Sequence, residues 1–337
     1  MSGAALLRCG ASAVDAPLLS AYHRAERTVT LGQASARPSA PSTLRTDPLS
    51  RDAVVAVEAR SPMKPPSVWP RVATFVAVTY GISAVFMSMC ISIGHITALG
   101  ALGGMWSPFV GVLVTRIVFP DGRRRGSLAG LGWGWGRTRY QLASYAIPIL
   151  YVGATYTVVW LARLGSLTDQ APGLVAKFVL TSTVQGLLLG SLFALGEEVG
   201  WQGFLVPQLF PVTGFTRTAL LRGIIWSVWH FPLILGGIYG TTETPVWYRL
   251  VCFTVTMTGI SFAFTWLRIR SGSLWTGVLM HSAHNTFIQG VFPGLTHDAG
   301  TMGWYVDEFG VLTAIAAVVV ALLFWRKRAL LAAETRG

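Results

Sequence analysis

Long apolar runs separated by short polar stretches make up most of the chain after about residue 72. An α-helix rises about 1.5 Å per residue, so about 20 apolar residues cross the hydrocarbon core of a bilayer. We therefore predict an all-α fold, a polytopic membrane bundle of about eight transmembrane helices. The predicted spans are residues 72–96, 101–119, 140–162, 173–196, 218–238, 248–267, 273–293 and 309–325.

Residues 1–70 have a different composition, rich in Ser, Pro and Arg and without helical periodicity. Such a segment cannot bury enough apolar surface to fold, so we expect it to be disordered; a mis-assigned start of the reading frame would explain the same composition. Its apolar opening lacks a basic flank and is too short for a span, so we expect no signal peptide. We place the transmembrane domain at residues 71–328, its motif-bearing core at 173–295, and a short tail at 329–337.

The distribution of charge supports this topology. The net charge is +12, yet only 12% of residues are charged, about half the fraction usual in soluble domains. Basic residues flank alternate loops, and the opposite loops carry Asp169, Glu243, Asp298, Asp307 and Glu308. The positive-inside rule then places both termini in the cytoplasm, which agrees with an even number of spans. Because topology accounts for the basic residues, we expect the lipid bilayer as partner and no nucleic acid. The three cysteines match no metal or redox spacing.

Five polar residues lie inside or at the ends of the apolar runs: Glu197 and Glu198, His230, His281 and Asn285. A charged side chain at bilayer depth costs several kcal/mol unless it faces a partner or a water-filled cavity. The predicted topology puts all five in the cytoplasmic half of the bilayer. We therefore predict one shared polar site, whose chemistry is metal binding or water activation.

Each of these residues also has a simpler interpretation. A single histidine in a span often only bonds to a neighbouring helix, and a glutamate at a helix end can reach the headgroups. We assign His284 and His297 to such structural roles, and we take Trp226 and Trp229 as packing or wall residues. The joint occurrence on three spans favours the shared site. Gly200, Gly203 and Pro207 are expected to loosen or end the helix that follows Glu198.

Three segments resemble the motifs of the CPBP family of intramembrane proteases, which includes the CAAX prenyl protease 2 (Rce1-like) and Abi proteins. The family pattern is EExxxR, then FxxxH, then HxxxN or a close variant. The corresponding segments read GEEVGWQGFLVPQL, WSVWHFPLIL and SGSLWTGVLMHSAHN. The likeness extends over about residues 75–325. Gln202 stands where the family usually has Arg, and Trp226 stands where it usually has Phe.

The resemblance implies roles for these residues. Glu197 would act as general base, with His230 polarising a water. His281 and Asn285 would stabilise the oxyanion. Glu198 would orient its neighbours, and Gln202 and Trp226 would support the site. A zinc site formed by Glu197, His230 and His281 fits the same residue types, although the HExxH spacing of soluble zinc proteases is absent. Metal dependence therefore stays open at this point.

The resemblance implies an intramembrane endopeptidase acting on a membrane-associated peptide or protein, with CAAX-type C-termini as one substrate class. Two alternatives come from other functional classes. A non-proteolytic scaffold or immunity protein would use the same fold without cleavage, and the neutral Gln202 favours it. An ion- or proton-coupled transporter would use Glu and His as a relay, but no internal repeat supports it. The sequence leaves the substrate and the oligomeric state open.

Overall fold

The computed structural model describes residues 67–120, 124–240, 243–298 and 300–333. This part of the chain is almost entirely helical, as the apolar runs predict. Its α-helices are α1 Val68–Ile93, α2 Ala98–Val118, α3 Thr138–Leu161, α4 Pro172–Gln185, α5 Ser191–Glu198, α6 Val206–Leu235, α7 Val246–Ser271, α8 Trp275–Asn285, α9 Phe292–Gly294, α10 Val311–Arg326 and α11 Ala329–Ala333. Three π-helical segments continue α4, α5 and α8 at Gly186–Gly190, Val199–Leu205 and Thr286–Val291. A 3₁₀ turn covers Met302–Trp304, and β1 (Gly165–Leu167) pairs antiparallel with β2 (Thr296–Asp298).

Each predicted span lies in a helical part of the chain, but the helix boundaries differ from the predicted span boundaries. Five described helical stretches are long and apolar enough to cross a bilayer. One of them, Pro172–Leu235, has 64 residues and contains the fourth predicted span and most of the fifth. The seventh predicted span corresponds to α8, which has 11 residues, together with the π segment that follows it. The eighth predicted span corresponds to α10, which has 16 residues.

The domain boundary predicted at residue 70 falls inside a helix, because α1 begins at Val68. The expectation of disorder for residues 1–66, and the last residues of the predicted tail, 334–337, lie outside the described residues.

The helix loosens after Glu198 but does not end there, so the first of the two effects expected of Gly200 and Gly203 is the one observed. It continues as π-helix over Val199–Leu205 and then as α6, with Pro207 accommodated in the first turn of α6. A π segment carries extra residues per turn and so rotates the side chains that follow it, and such segments are frequent at functional sites. The break comes later, at Gly214, whose φ of 71° and ψ of 174° are not helical. The remainder of α6 can therefore run in a new direction and carry Trp226 and His230.

Close helix packing holds this arrangement. The main neighbours are α1 with α2, α6 with α7, α7 with α10, α3 with α8, and α2 with α5. A methyl group added at Gly223 in α6 would lie 2.5 Å from the Cα atom of Thr258 in α7. Small residues allow membrane helices to approach at the level of their backbones. The position of the second half of α6 therefore depends on this glycine.

We predict that Gly223→Ala lowers the thermal unfolding temperature in detergent, because overpacking against backbone costs about 1–3 kcal/mol. Gly81→Ala in α1 is the matched control, since a methyl group at Gly81 meets no atom within 4 Å. Alanine has the better helix propensity, so the control is expected to be at least as stable as the wild type. Equal unfolding temperatures for the two variants would contradict the close approach of α6 and α7.

Candidate active site

A cavity of about 210 Å³ lies inside the helical bundle. Four of the residues predicted for the site, Glu197, His230, His281 and Asn285, all line it. They come from α5, α6 and α8, so three separate helices contribute to one space. Trp226 also lines the cavity. The structure thus brings together the residues that the sequence singled out on separate apolar runs.

Glu197 is held by two tryptophan side chains. The indole nitrogens of Trp201 and Trp226 both donate to its Oε2 atom, at 3.0 Å and 2.8 Å. No described residue donates to the other oxygen, Oε1. Glu197 is only 1% exposed, and a buried carboxylate needs such donors in place of water. The pair of indoles therefore fixes the orientation of Glu197 while one oxygen keeps its capacity to accept a proton.

Glu198 does not line the cavity and contacts a different set of partners. Its Oε1 atom accepts from His281 Nδ1 at 3.0 Å. The Nη2 atom of Arg222 lies 3.4 Å and 3.3 Å from the two carboxylate oxygens. Donation by Nδ1 of His281 leaves its Nε2 atom for other contacts. Glu198 thus orients His281, which itself lines the cavity.

His230 is positioned by a backbone carbonyl and by aromatic rings. Its Nδ1 atom lies 2.9 Å from the carbonyl oxygen of Trp226, one turn earlier in α6. Its ring packs edge-on against Trp229 and stacks on Tyr239, with centroid distances of 4.7 Å and 5.7 Å. With Nδ1 donating to the carbonyl, Nε2 is left to accept a hydrogen bond. This ring can therefore assist a proton transfer without losing its support.

The sequence interpretation of Gln202 and Trp226 needs correction. Neither the nitrogen nor the oxygen of the Gln202 amide has a hydrogen-bond partner among the described residues, so Gln202 does not bond a carboxylate as a neutral amide could. Trp226 is more than a wall residue, because it donates to Glu197 and its ring lies 5.2 Å from that of His281. The cation beside Glu198 is Arg222, which the motif comparison did not identify.

A second group of polar residues, the Glu308 cluster, also lines the cavity. It consists of Tyr151, Tyr239, His284, Gln289 and Glu308, all but Tyr151 lining the cavity itself. The carboxylate of Glu308 accepts from the Tyr239 hydroxyl and, at 2.8 Å, from the Gln289 amide. His284 Nε2 lies 3.4 Å from it, and the other ring nitrogen contacts the Tyr151 hydroxyl. The structural role that the sequence suggested for His284 therefore overlooked its place beside this carboxylate.

The sequence contained one signal for this cluster. His284 lies in the same apolar run as His281, and Glu308 directly precedes the last run. Its partners are distant in sequence, however, and only the fold brings Tyr151 to His284 and Tyr239 to Glu308. His297 pairs with Asp169 at 3.4 Å on the surface and takes no part in the cavity.

The residues proposed as zinc ligands do not form a metal site as they are arranged. Among the described residues, no group of three or more His, Cys, Asp or Glu is placed to hold a metal ion. The Nδ1 atoms of His230 and His281 are both engaged with protein acceptors, which leaves only Nε2 of each ring for a further ligand. We derive no chemical step through an ion shared by Glu197, His230 and His281.

Comparison with known proteins bears on the same residues. Residues 179–287 match the family model described as type II CAAX prenyl endopeptidase Rce1-like. They form an Rce1-like region. This region contains Glu197, His230 and His281 together with the residues that hold them. The chain is a multi-pass membrane protein, as its long apolar helices indicate, and residues 179–287 are the part that is similar to this family.

One curated relative adds to the family match. CAAX prenyl protease 2 of Methanococcus maripaludis is 28% identical over 144 residues, which cover 42% of this chain and 50% of the relative. The chain thus matches about half the length of that relative.

The Glu308 cluster gives a prediction for acid stability. Burial by itself raises the pKa of Glu308, but contacts with His284, Tyr239 and Gln289 outweigh it and hold that pKa below its usual value. A lowered carboxyl pKa contributes stability above the unfolded-state pKa that is lost as pH falls through the folded-state pKa. We expect the thermal unfolding temperature of the wild type to fall more between about pH 6 and pH 3 than that of Glu308→Gln. Parallel pH curves for the two proteins would refute this role.

Proposed function

We propose that this protein is an intramembrane endopeptidase that hydrolyses a peptide bond of a membrane-associated substrate. The observation that carries the proposal is the arrangement around Glu197. One carboxylate oxygen is fixed by two indole N–H groups, and His230, His281 and Asn285 line the same cavity. A general base, an oriented imidazole and amide or imidazole donors are the parts that amide hydrolysis requires. The match of residues 179–287 to a CAAX prenyl endopeptidase family supports the same reaction class.

The first step is addition of water to the scissile carbonyl. Glu197 takes a proton from a water molecule, and the water oxygen forms a bond to the carbonyl carbon. His230 accepts a hydrogen bond from the same water through Nε2 and so aligns it. The carbonyl π electrons move to oxygen, which becomes an oxyanion.

The oxyanion needs donors in a site that excludes bulk water. Asn285 offers its amide N–H. His281 can offer Nε2–H when its imidazole is protonated, and the adjacent Glu198 carboxylate stabilises that cation.

The second step breaks the C–N bond. The tetrahedral intermediate collapses, the electron pair of the C–N bond goes to nitrogen, and the protonated Glu197 returns its proton to that nitrogen. The products are a carboxylic acid and an amine, which become a carboxylate and an ammonium group when the acid proton passes to the amine, so the sum is one water consumed per bond cleaved. The Glu197 carboxylate is regenerated for the next cycle.

The substrate class and the side of cleavage belong to the same proposal. We propose that both termini are cytoplasmic, on the basis of the charge distribution in the loops. Under this topology the cavity, which is lined by Ile96 between α1 and α2 and by Glu308 before α10, extends towards the opposite side of the bilayer, contrary to the cytoplasmic half expected from the sequence. We propose a CAAX-type C-terminal peptide anchored by a lipid as the substrate class, because the relative from Methanococcus maripaludis is named CAAX prenyl protease 2. A membrane-anchored peptide would present its backbone at the depth of the cavity.

Glu197→Gln is predicted to abolish cleavage of a prenylated CAAX peptide by the protein in liposomes, with a loss of about 100- to 10,000-fold. The amide keeps the acceptor oxygen but cannot take the proton. Glu243→Gln is the control, because Glu243 lies in a loop outside the cavity and accepts from the backbone N–H of Gly303. Mass spectrometry of the peptide products measures the rate. A Glu197→Gln rate within about threefold of wild type would refute the assignment.

The same cleavage assay tests whether the reaction depends on a metal ion. We expect the rate to be unchanged by a zinc chelator such as 1,10-phenanthroline, because the three candidate ligands do not converge on one point. Loss of activity on chelation that is restored by added Zn²⁺ would assign a metal-dependent mechanism instead.

The two indole donors give a further prediction. Trp226→Phe and Trp201→Phe each remove one N–H donor to Glu197, and each is expected to lower kcat about 3- to 10-fold. The double variant is expected to lose more than the product of the single losses, because the carboxylate then has neither donor. Trp229→Phe is the matched control, since that indole donates to Ser83 at 2.7 Å and not to Glu197. A double variant no slower than either single variant would contradict the shared support.

A further inference from the structure

We infer that Arg222 is a positioning residue that supplies, from α6, the positive charge required by the adjacent buried carboxylates Glu197 and Glu198. This inference rests on the proposed function, because it concerns the geometry of the same cavity. Its side chain contacts Glu198 directly and reaches Glu197 through Trp226. The motif position where a cation is expected, residue 202, carries a neutral side chain.

The contact with Glu198 is an ion pair from which solvent is excluded. Arg222 Nη2 lies 3.3 Å from Glu198 Oε2, and both side chains are 0% exposed. A second guanidinium nitrogen, Nη1, donates to the hydroxyl of Ser261 in α7 at 2.8 Å. Removing one partner of a buried pair leaves an uncompensated charge, which is far more costly than losing a surface pair. The guanidinium of Arg222 is therefore the counter-charge of the buried Glu198 carboxylate.

The guanidinium is also held between two aromatic rings. Its Cζ atom lies 4.6 Å from the ring centre of Trp226 and 4.2 Å from that of Phe264. Such cation–π contacts fix the plane of an arginine side chain and strengthen when solvent is excluded. Trp226 in turn donates to Glu197. One cation thus orders the supports of both carboxylates.

The consequence for the cavity passes through His281. The carboxylate of Glu198 accepts from Nδ1 of His281 at 3.0 Å. An ionised carboxylate at this distance selects the ring orientation and stabilises the protonated imidazole. Without Arg222, the buried Glu198 carboxylate would lack a counter-charge and would no longer hold His281 in its orientation, so the donor that His281 offers to the oxyanion would be displaced. Arg222 therefore acts on the reaction through Glu198 and His281 and does not touch the substrate.

Residue 202 is close enough to exchange this role with Arg222. A methyl group added at Gly277 would lie 2.5 Å from Gln202 Cγ and 2.7 Å from Glu198 Oε2. The side chains of Gln202 and Glu198 therefore pack against the same glycine, one helical turn apart. A guanidinium at 202 could reach Glu198 once the guanidinium at 222 is removed. Moving the arginine from position 222 to position 202 therefore tests whether Glu198 requires a positive charge or requires an arginine at position 222.

The experiment compares Arg222→Met, Arg222→Lys and the double variant Arg222→Met/Gln202→Arg in liposomes with the prenylated CAAX peptide. We expect Arg222→Met to lower kcat about 10- to 100-fold with little change in KM. Lysine keeps the charge but cannot contact Glu198 and Ser261 together, so its kcat is expected to be intermediate. The double variant is expected to recover at least about fivefold of the kcat lost in Arg222→Met.

The control is Arg268→Met, which removes an equally buried guanidinium that bonds the backbone carbonyls of Gln202 and Leu131. It is expected to lower the unfolding temperature without a comparable loss of kcat. A folded Arg222→Met variant with kcat within about twofold of wild type would overturn the inference. A double variant no more active than Arg222→Met would overturn it as well.

A second measurement separates this inference from the proposed function. Unfolding temperatures are compared for wild type, Arg222→Met, Glu198→Gln and the combination of both. If Arg222 compensates Glu198, Arg222→Met lowers the unfolding temperature less in the Glu198→Gln background than in the wild type. Equal lowering in both backgrounds overturns the inference. If the wild-type protein cleaves no peptide but shows this coupling of unfolding temperatures, the proposed function is wrong and the inference about the ion pair stands.

Discussion

The structure of the site follows from the burial of two consecutive carboxylates. Successive residues of a helix point about 100° apart, so Glu197 and Glu198 cannot share one environment. Glu197 faces the cavity and is satisfied by two indole N–H groups. Glu198 faces away from it and is satisfied by His281 and Arg222. Two like charges this close in a medium of low dielectric would repel strongly without such separate partners.

This division gives the two carboxylates different capacities. Neutral donors leave Glu197 with one oxygen able to accept a proton, as a base requires. Glu198 is paired with a cation and orients the imidazole of His281. Trp226 links the two environments, because it donates to Glu197 and stacks against Arg222. A phenylalanine at this position would preserve the stacking and lose the donor.

Some of this arrangement was predictable from sequence and some was not. The apolar runs predicted the helices well, and the polar residues within them predicted the residues of one cavity. Helical periodicity could also place His281 and Asn285 on one face, one turn apart. Arg222 was not predicted as a residue of the site, because an arginine near the start of a predicted span normally indicates the orientation of that span in the membrane. Its partners Glu198 and Ser261 lie on other helices, and only packing brings them together.

The same reason explains why the sequence did not predict the Glu308 cluster or the boundaries between the helical segments. The cluster joins α3, the loop after α6, α8 with its π segment, and the loop before α10, and no local pattern relates these segments. Tyr239 connects it to the site, because its ring stacks on His230 and its hydroxyl donates to Glu308. The π segments have no composition signal that separates them from α-helix, so the glycines after Glu198 indicated that the helix would loosen or end there but not that it would continue as π-helix.

The central claim is that a water molecule activated at Glu197 attacks the peptide carbonyl directly. It is tested by a single turnover of the enzyme, in excess over a membrane-anchored peptide, in water enriched with ¹⁸O. Mass spectrometry then measures the label in the newly formed carboxylate. The account predicts one ¹⁸O atom in the product of the first turnover. A product without label would contradict it, because the oxygen would then have come from a protein carboxylate through a covalent intermediate.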